Sequence, residues 1–324
     1  MDFVILWVDD KDPKWRENYE KYSLLEEGEK RECRFRDWEN LHYWFRGAEK
    51  FAPWVDKIFF ITAGQIPSWM NVNHPKLRIV NHEEYIPQEL LPTFSSNTIE
   101  LFLHKIQDLS EQFVLFNDDF FIINHIKPER FFQNGKPVDI CAMNAYHGAG
   151  VSTNCMCNLE IINKHFDKKK VIRKNLSKWF SPNNGKHLVR SLLLMSWPQF
   201  VGFYEPHLPQ PFLKSVIKEV WSKEGTAILD SIRPRFRQKI NLTQYLYRYW
   251  QLASGNFICK NICSDSVVFD INENILESIL TIIKNQKKNI IVLNDSANIN
   301  FDNTKNKINK AFNNILPEKS SFEK

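Results

Sequence analysis

A run of four apolar residues that leads into an asparagine and two aspartates constrains the fold of this chain most strongly. The run is Phe113-Val-Leu-Phe116, followed by Asn117-Asp-Asp119 and more apolar chain. A short continuous apolar run is typical of a buried strand, and open α/β sheets bind ligands at the carboxyl ends of their strands. Asn-Asp is also common in turns, so a plain turn is the alternative interpretation.

Strands and helices alternate along the first part of the chain. Apolar runs predict strands at residues 3–8, 57–62 and 77–80, in addition to residues 113–116. Helical spacing follows Asp37, a candidate N-cap, and again follows Ser95 to Asn97. Because alternating strands and helices are typical of βαβ units, we expect an α/β fold with a mainly parallel sheet flanked by helices.

The second half of the chain has a different pattern of predicted elements, with more helices than strands. Residues 159–254 are mostly helical in their periodicity, with segments around residues 188–197, 212–221 and 242–253. Strands are predicted at 138–143, 256–259 and 289–293, and a helix at 275–283. We therefore expect one catalytic domain over residues 1–294, with a helical insertion at about residues 159–254. The Asn- and Lys-rich residues 295–324 are expected to form a peripheral tail.

The composition is that of a globular protein and excludes some functional classes. The chain has 324 residues, of which 43% are hydrophobic and 25% charged, with a formal charge of +5. A nucleic-acid-binding protein would show a concentrated basic stripe or a reader motif, so we expect no nucleic-acid partner. The short runs Lys168-Lys-Lys170 and Lys287-Lys288 predict solvated faces or, at most, peripheral contact with an anionic membrane.

The sequence also bears on location and on cofactors. Met1-Asp-Phe3 has an acid where a signal peptide would be basic, and no apolar run is long enough to cross a bilayer, so we expect a cytoplasmic protein. The six cysteines fit reduced thiols better than disulfides, and a zinc site is the weaker alternative. No GxGxxG, P-loop or GxSxG motif is present, which argues against Rossmann dinucleotide binding, P-loop ATPases and α/β-hydrolases.

Acidic residues follow three of the predicted strands. They are Asp9 with Asp10, Asp118 with Asp119, and Asp265. If these strands are neighbours, the carboxylates converge at one edge of the sheet. Carboxylates at that place suit Mg²⁺ (or Mn²⁺), which takes one or two of them and completes its shell with water and phosphate oxygens.

Other residues are candidates for proton transfer and for substrate binding. His207 lies between two prolines and has the side chain whose pKa suits proton abstraction near neutrality. Arg237 could neutralise a phosphate. Thr93, Ser95 and Ser96 could present hydroxyls and helix-start amides to a phosphate or sugar. For each of these residues the alternative is a purely structural role, which for the hydroxyls is helix capping.

Several of these segments together resemble a known family. In order and spacing, five motifs are similar to those of the Stealth phosphotransferases. They are Arg34-Phe-Arg-Asp37, Phe51-Ala-Pro-Trp-Val55, Gly64-Gln-Ile-Pro-Ser-Trp69, Leu91-Pro-Thr-Phe-Ser-Ser96 and Asn117-Asp-Asp119. The opening Asp2-Phe-Val-Ile-Leu-Trp-Val-Asp9, His207-Leu-Pro with Arg237, and Cys263-Ser-Asp265-Ser resemble the other regions of the family. The resemblance extends to about residue 270, and the chain departs from the family pattern at Asp10, Ala63 and Ser264.

The resemblance implies a fold and a reaction. The fold would be a Rossmann-like (GT-A-like) sheet. The Stealth family comprises sugar-1-phosphate transferases of capsule and cell-surface polysaccharide synthesis, and it includes the catalytic part of the animal GlcNAc-1-phosphotransferase. The implied partners are a UDP-sugar donor and an oligo- or polysaccharide acceptor. In many surface-polysaccharide pathways such an acceptor is lipid-linked. The implied products are a phosphodiester and UMP.

The resemblance also implies roles for individual residues. Asp119 and Asp265 would hold the metal ion, with Asp118 in support. His207 would take the proton of the acceptor hydroxyl, Arg237 would neutralise phosphoryl oxygens, and Asp2 and Asp9 would support the site. The implied substrate-binding residues are Trp7, Arg36, Gly64, Gln65, Thr93, Ser95, Ser96 and Asn117.

Two other functions remain open from the sequence. A glycosyltransferase would also use acids, a metal ion and a UDP-sugar, but it would attack the anomeric carbon and release UDP. An inactive polysaccharide-binding protein is suggested by the 25 Phe and 10 Trp residues and would bind saccharide without turnover of a donor.

Overall fold

The computed structural model describes residues 1–297 and 299–324 as an α/β protein with three sheets. The strands are β1 (Asp2–Leu6), β2 (Ile58–Thr62), β3 (Leu77–Asn81), β4 (Gln112–Phe116), β5 (Phe120–Ile122), β6 (Phe132–Gln133), β7 (Lys136–Asp139), β8 (Gln210–Leu213), β9 (Ile258–Cys259), β10 (Ser266–Asp270) and β11 (Ile290–Asn294). The helices are α1 (Pro13–Ser23), α2 (Leu41–Phe51), α3 (Ser96–Leu101), α4 (Ser152–His165), α5 (Lys168–Lys174), α6 (Leu176–Trp179), α7 (His187–Leu193), α8 (Lys214–Ser231), α9 (Tyr245–Ser254), α10 (Leu276–Asn285) and α11 (Phe301–Ile315).

The main sheet is five-stranded, in the order β3-β2-β1-β4-β8. Its first four strands are parallel, and β8 is antiparallel to β4. β1 and β2 are almost wholly buried, as expected for strands that are covered on both faces. The predicted α/β class with a mainly parallel sheet is confirmed.

A second, three-stranded sheet lies beside the carboxyl end of β4. Its order is β10-β11-β5, with β10 parallel and β5 antiparallel to β11. β5 begins directly after the Asn117-Asp118-Asp119 segment, which follows β4. The chain therefore passes from one sheet to the other through these acidic residues.

The second half of the chain is mostly helical, as predicted, but it also contributes a strand to the main sheet. Helices α4 to α9 account for most of residues 159–254. The predicted helix at residues 212–221 was wrong at its start, because residues 210–213 form β8 and α8 begins only at Lys214. β8 pairs with β4, with Leu115 opposite Gln210.

The prediction that residues 295–324 form a peripheral tail is wrong. α11 buries Ile308 and Phe312 completely in the main hydrophobic core, and Phe322 is also buried there. Arg46 of α2 forms a buried ion pair with Glu323 at 2.7 Å. The C-terminal segment is therefore part of the core.

A small separate core fixes the segment that follows β1. Trp15 of α1 packs with Phe94 and Phe236, and Tyr19, Tyr22 and Phe35 pack around them. Asp12 caps α1 by accepting the N–H of Trp15 at 2.7 Å, and Pro13 suits the first helical turn. Residues 24–40 follow α1 and connect it to α2. No helix in the described residues is both long and apolar enough to cross a membrane.

Candidate active site

The Asn117-Asp118-Asp119 segment and His207 meet at one edge of the main sheet. Asn117 to Asp119 follow the carboxyl end of β4, whereas His207 precedes the amino end of β8. Because β8 is antiparallel to β4, these two ends lie side by side. Asp118, Asp119 and His207 therefore lie together, whereas Asp9, Asp10 and Asp265, the other acids expected at this edge, do not line the cavity.

The second sheet brings two further polar residues to the same place. β11 is antiparallel to β5, and the N–H of Leu293 donates to the carbonyl of Asp119 at 3.0 Å. The next two residues in the chain, Asn294 and Asp295, consequently lie beside Asp118 and Asp119. Asp270, at the carboxyl end of β10, pairs in register with Asn294.

Four carboxyl groups are concentrated here, those of Asp37, Asp118, Asp119 and Asp295. Asp118 is an exposed residue that lines the cavity, yet the surrounding protein desolvates its carboxyl enough to raise its pKa, with the charges of Asp37 and Asp295 adding to the effect. Desolvation also raises the pKa of Asp119 well above its usual range, and the charge of Asp118 adds to it. Repulsion of this kind is relieved when a cation binds between the acids.

His207 is held in a defined orientation and tautomer. Its Nε2 lies 3.0 Å from Oδ1 of Asn294, and the amide of Asn294 donates from Nδ2 to Asp270 at 2.8 Å. The amide oxygen can only accept, so Nε2 carries the proton and Nδ1 carries the lone pair. Nδ1 faces the hydroxyl of Tyr245 at 3.4 Å.

The backbone and the protonation state of His207 also fit a functional group. Its φ is +49°, in the left-handed region that few non-glycine residues occupy. Such strained positions are concentrated at functional sites. Desolvation lowers the pKa of His207, so the imidazole is neutral and able to accept a proton at neutral pH.

Arg237 lies on another wall of the cavity. It donates to the hydroxyl of Ser96 at the start of α3. Burial raises the pKa of nearby Glu100 to about 7, although the charge of Arg237 lowers it. Burial lowers the pKa of Arg237 itself. An anionic ligand would stabilise the charge of a guanidinium that is desolvated in this way.

Residues 24–40 close one side of the cavity and contribute more arginines. The N–H of Glu29 donates to the carbonyl of Arg237 at 3.0 Å. Gly28 has a φ of +148°, and a Cβ there would lie 2.5 Å from the Cβ of Phe236, so only glycine allows this close approach. Arg36 forms an ion pair with Asp295, and the charge of Arg34 acts on both Asp119 and Arg237.

The cavity that these residues line has a volume of about 1650 Å³. Small-molecule pockets usually have volumes of roughly 300–1,000 Å³, so this cavity is large enough for two substrates. Nine carboxyl side chains and six lysines or arginines line it. Because acids outnumber fixed cations, an anionic diphosphate would bind poorly without an additional cation.

The residues present are compatible with a divalent metal ion. Oδ1 of Asp119 is buried and has no hydrogen-bond partner among the described residues, which leaves it free to be a ligand. In the described part of the chain, no three His, Cys, Asp or Glu side chains are close enough together to form a ligand set by themselves. Mg²⁺ needs only one or two carboxylates when substrate phosphates and water complete its shell.

Two of the predicted site residues lie elsewhere. The prediction that Asp265 joins Asp119 in the cleft is wrong. Asp265 precedes β10, whereas Asp270, which lines the cavity, ends it. Five residues of strand separate their positions by roughly 16 Å, and Asp265 forms an ion pair with Arg130 at 2.8 Å.

Asp2 is also remote from the cavity. It lies at the amino end of β1, where its carboxylate accepts the N–H groups of Lys57 and Ser110 at 3.2 and 2.8 Å. These bonds connect the starts of three neighbouring strands. The prediction that Asp2 supports the site directly is wrong, since its position is structural.

The remaining predicted residues divide into those that line the cavity and those just behind it. Gln65 exchanges two hydrogen bonds with the backbone of Asp9, at 3.1 and 2.7 Å. Neither residue lines the cavity, nor do Gly64 and Ser95. Ser95 precedes α3 but makes no capping hydrogen bond. The predicted residues that do line the cavity are Trp7, Arg36, Thr93, Ser96, Asn117, Asp118, Asp119, His207 and Arg237.

Comparison with known proteins identifies the family. Residues 1–25 match the family model Stealth protein CR1, conserved region 1, and residues 34–139 match Stealth protein CR2, conserved region 2. The chain is 43% identical to the capsular polysaccharide phosphotransferase WcwK of Streptococcus pneumoniae, over 100% of this chain and 98% of that protein. The chain belongs to the Stealth family. It is a transferase.

Other polysaccharide phosphotransferases match over the same length. The receptor polysaccharide phosphotransferase WefC of Streptococcus gordonii is 37% identical over 100% of this chain and 98% of that protein. The exopolysaccharide phosphotransferase cps2G of Lactiplantibacillus plantarum is 35% identical over 100% and 96%. A solved structure of the galactosyltransferase LgtC, with donor and acceptor sugar analogs, has a TM-score of 0.40 and 9% identity, over 90% of this chain and 87% of that chain.

Several residues of this Stealth site were not among those expected from the sequence. Arg34 and Asp37 belong to a recognised motif but were not assigned roles. Asn294 and Asp295 follow an apolar strand, as Asn117 and Asp118 do, and this repeated strand-Asn-Asp pattern could have revealed them. Tyr245 has no comparable local pattern, because its role depends on contact with His207.

Proposed function

We propose that this protein transfers a hexose-1-phosphate from a UDP-sugar to a saccharide hydroxyl, forming a phosphodiester and releasing UMP. The observation that carries the proposal is one cavity that holds an acidic cluster, buried arginines and a neutral, oriented histidine. The relatives named as capsular, receptor and exopolysaccharide phosphotransferases support a polysaccharide acceptor. The proposed setting is the cytoplasm, with synthesis of capsule or another surface polysaccharide as the pathway class.

The acidic cluster would bind the diphosphate of the donor through Mg²⁺ or Mn²⁺. Asp119, Asp118 and Asp295 are the residues that would hold the ion. When bound, the ion neutralises the diphosphate and stabilises charge on the departing UMP. Arg36, which forms an ion pair with Asp295, keeps that carboxylate in place.

Arg237 and Arg34 would bind the phosphate oxygens directly. Catalysis of phosphoryl transfer is largely positioning and charge neutralisation, and fixed arginines provide both. Ser96 holds the guanidinium of Arg237. Since Glu29 binds the backbone of Arg237, the segment over the cavity and the phosphate-binding arginine are coupled.

His207 would act as the base for the acceptor. The acceptor oxygen attacks the phosphorus that bears the sugar, and the bond from that phosphorus to the bridging oxygen breaks. UMP leaves with the bridging oxygen, and the hydroxyl proton passes to Nδ1 of His207. The hydrogen bond from Nε2 to Asn294 stabilises the imidazolium that results.

The decisive experiment identifies the nucleotide product. The purified protein is incubated with a panel of UDP-sugars, an oligosaccharide acceptor and Mg²⁺, with and without a chelator. We expect UMP and a ³¹P signal of a phosphodiester, both lost with the chelator. His207→Ala should lose turnover, while the exposed His125→Ala should retain it. Release of UDP would instead show a glycosyltransferase, and saccharide binding without nucleotide release would show an inactive binding protein.

A further inference from the structure

The segment that contains α5, α6 and α7 is far more basic than the rest of the chain. Residues 161–204 contain nine lysines and arginines and a single acid, Asp167. The formal charge of the whole chain is only +5, so the residues outside this segment are net acidic. The only acid is engaged locally, because the Asp167 carboxylate accepts the N–H of Lys170 at the start of α5.

The same segment exposes large apolar side chains. Val189, Leu192 and Leu193 of α7 are 62%, 53% and 70% exposed, and Trp197 just beyond it is 51% exposed. Ser191 of α7 and Leu194, directly after it, point inward and are buried. α7 therefore presents an apolar face that no part of the described chain covers.

The basic and apolar parts are adjacent. Lys168 of α5 is buried, and its Nζ donates to the carbonyls of Leu194 and Trp197 at 2.6 and 2.8 Å. This contact places α5 against the end of α7. The other cations of α5, namely Lys169, Lys170, Arg173 and Lys174, are exposed. We call α5, α6, α7 and residues 194–198 the basic apolar surface.

We propose that the basic apolar surface docks this protein on an anionic lipid bilayer. Leucine and tryptophan side chains bordered by lysines and arginines are typical of elements that lie in the membrane interface. Each cation near an anionic membrane also contributes electrostatic attraction. A protein partner fits less well, because the cores of protein interfaces are depleted in lysine.

The position of this surface relative to the cavity suits a membrane-bound acceptor. Val151, directly before α4, and Asn154, in its first turn, line the cavity, and α4 ends at His165, just before α5. A helix of 14 residues is about 21 Å long, so the surface lies roughly one helix length from the cavity rim. Presentation of a lipid-linked acceptor rests on the proposed function, whereas the docking itself does not.

The test measures vesicle binding by the full chain without any substrate. Binding is compared for phosphatidylcholine vesicles and for vesicles that also contain phosphatidylglycerol, at low and high salt. We expect binding to the anionic vesicles only, weakened by salt. The triple variant Lys169→Glu, Lys170→Glu, Arg173→Glu should bind about tenfold less or weaker still. Leu192→Ser with Leu193→Ser should also reduce binding.

Matched variants control for charge and for exposed leucine. Lys284→Glu, Lys307→Glu, Lys310→Glu makes the same change of net charge on other exposed sites, and Leu24→Ser with Leu25→Ser removes leucines that are 88% and 71% exposed. Both controls should bind vesicles like the unchanged protein. Thermal unfolding confirms that each variant is folded.

Three outcomes would overturn the docking proposal. They are failure to bind anionic vesicles, equal loss of binding in the control variants, and a dimer in light scattering that Leu192→Ser with Leu193→Ser disperses. An independent readout uses brominated lipids, which should quench the fluorescence of the unchanged protein more than that of Trp197→Phe. Because no turnover is measured, a negative result here is distinct from failure of the proposed transferase reaction.

Discussion

Nε2 of His207 lies 3.0 Å from the amide oxygen of Asn294, a residue that the second sheet contributes to the edge of the first. Asn294 is itself fixed by its bond to Asp270. We expect Asn294→Ala to lower kcat about 10- to 100-fold with little change in KM, because the imidazole loses its fixed tautomer while substrate contacts remain. Steady-state kinetics with a UDP-sugar and acceptor measure this.

Asn124→Ala is the matched control for that variant. Asn124 lies near the other end of the same sheet and donates to the carbonyl of Gln286 at 3.1 Å. It should leave kcat unchanged. Asn294→Asp provides a second measurement, since a carboxylate beside Nε2 should raise the pKa of His207 and move the acid limb of the kcat/KM profile to higher pH. An unchanged profile in Asn294→Asp would contradict the positioning role of Asn294.

The acid side of the pH profile should contain two separable effects. Desolvation lowers the pKa of His207, so at saturating Mg²⁺ we expect activity to persist below pH 6.5 before the base is protonated. Asp118 and Asp119 have raised pKa values, so protons compete with the metal ion at a pH above the usual range for aspartate.

The two effects are distinguished by varying the Mg²⁺ concentration. Raising Mg²⁺ should shift the limb that is due to the carboxylates to lower pH, while the limb due to His207 stays in place. Direct titration with Mn²⁺ should show weaker binding as the pH falls. If the acid limb at saturating Mg²⁺ lies well above pH 6.5, the assignment of His207 as a base with a lowered pKa is wrong.

The sequence predicted the four parallel strands of the main sheet, because local apolar runs mark them, but it missed β8. The errors at the site arise from long-range pairing. Asp265 was placed after β9, but the residues that follow it form β10, so Asp265 lies at the start of a strand and Asp270 at its functional end. Asp295 was assigned to a peripheral tail on composition. The strand-Asn-Asp pattern marks Asp295 as a candidate, but only the antiparallel pairing of β11 with β5 brings it to Asp119, and that pairing is not visible in the local sequence.

Substitution of three aspartates, one at a time, should affect turnover only where the aspartate lines the cavity. We expect Asp119→Asn and Asp295→Asn each to lower kcat/KM at least about 100-fold and to weaken Mn²⁺ binding, since each removes a charge that faces the diphosphate. Asp265→Asn should leave turnover nearly unchanged. It should lower the free energy of unfolding by roughly 1–3 kcal/mol, because Arg130 loses its charged partner.

Kinetics, metal titration and urea unfolding of the three variants measure these effects. A loss of metal binding in Asp265→Asn without a loss of stability would restore the role that the sequence suggested for it. Equal activity in Asp295→Asn and the unchanged protein would remove Asp295 from the site.

The ion pair between Arg46 and Glu323 should make the C-terminal segment essential for stability. The side chains of Arg46 and Glu323 are 9% and 4% exposed, and the guanidinium also binds the carbonyl of Leu316 at 2.9 Å. We expect Glu323→Gln to lower the free energy of unfolding by about 3–5 kcal/mol, since it leaves a buried arginine without its counter-charge. Glu318→Gln, at an exposed position five residues earlier, is the control and should change it by less than about 0.5 kcal/mol. Urea unfolding measures both, and equal stability of the two variants would mean that the segment adds little to the core.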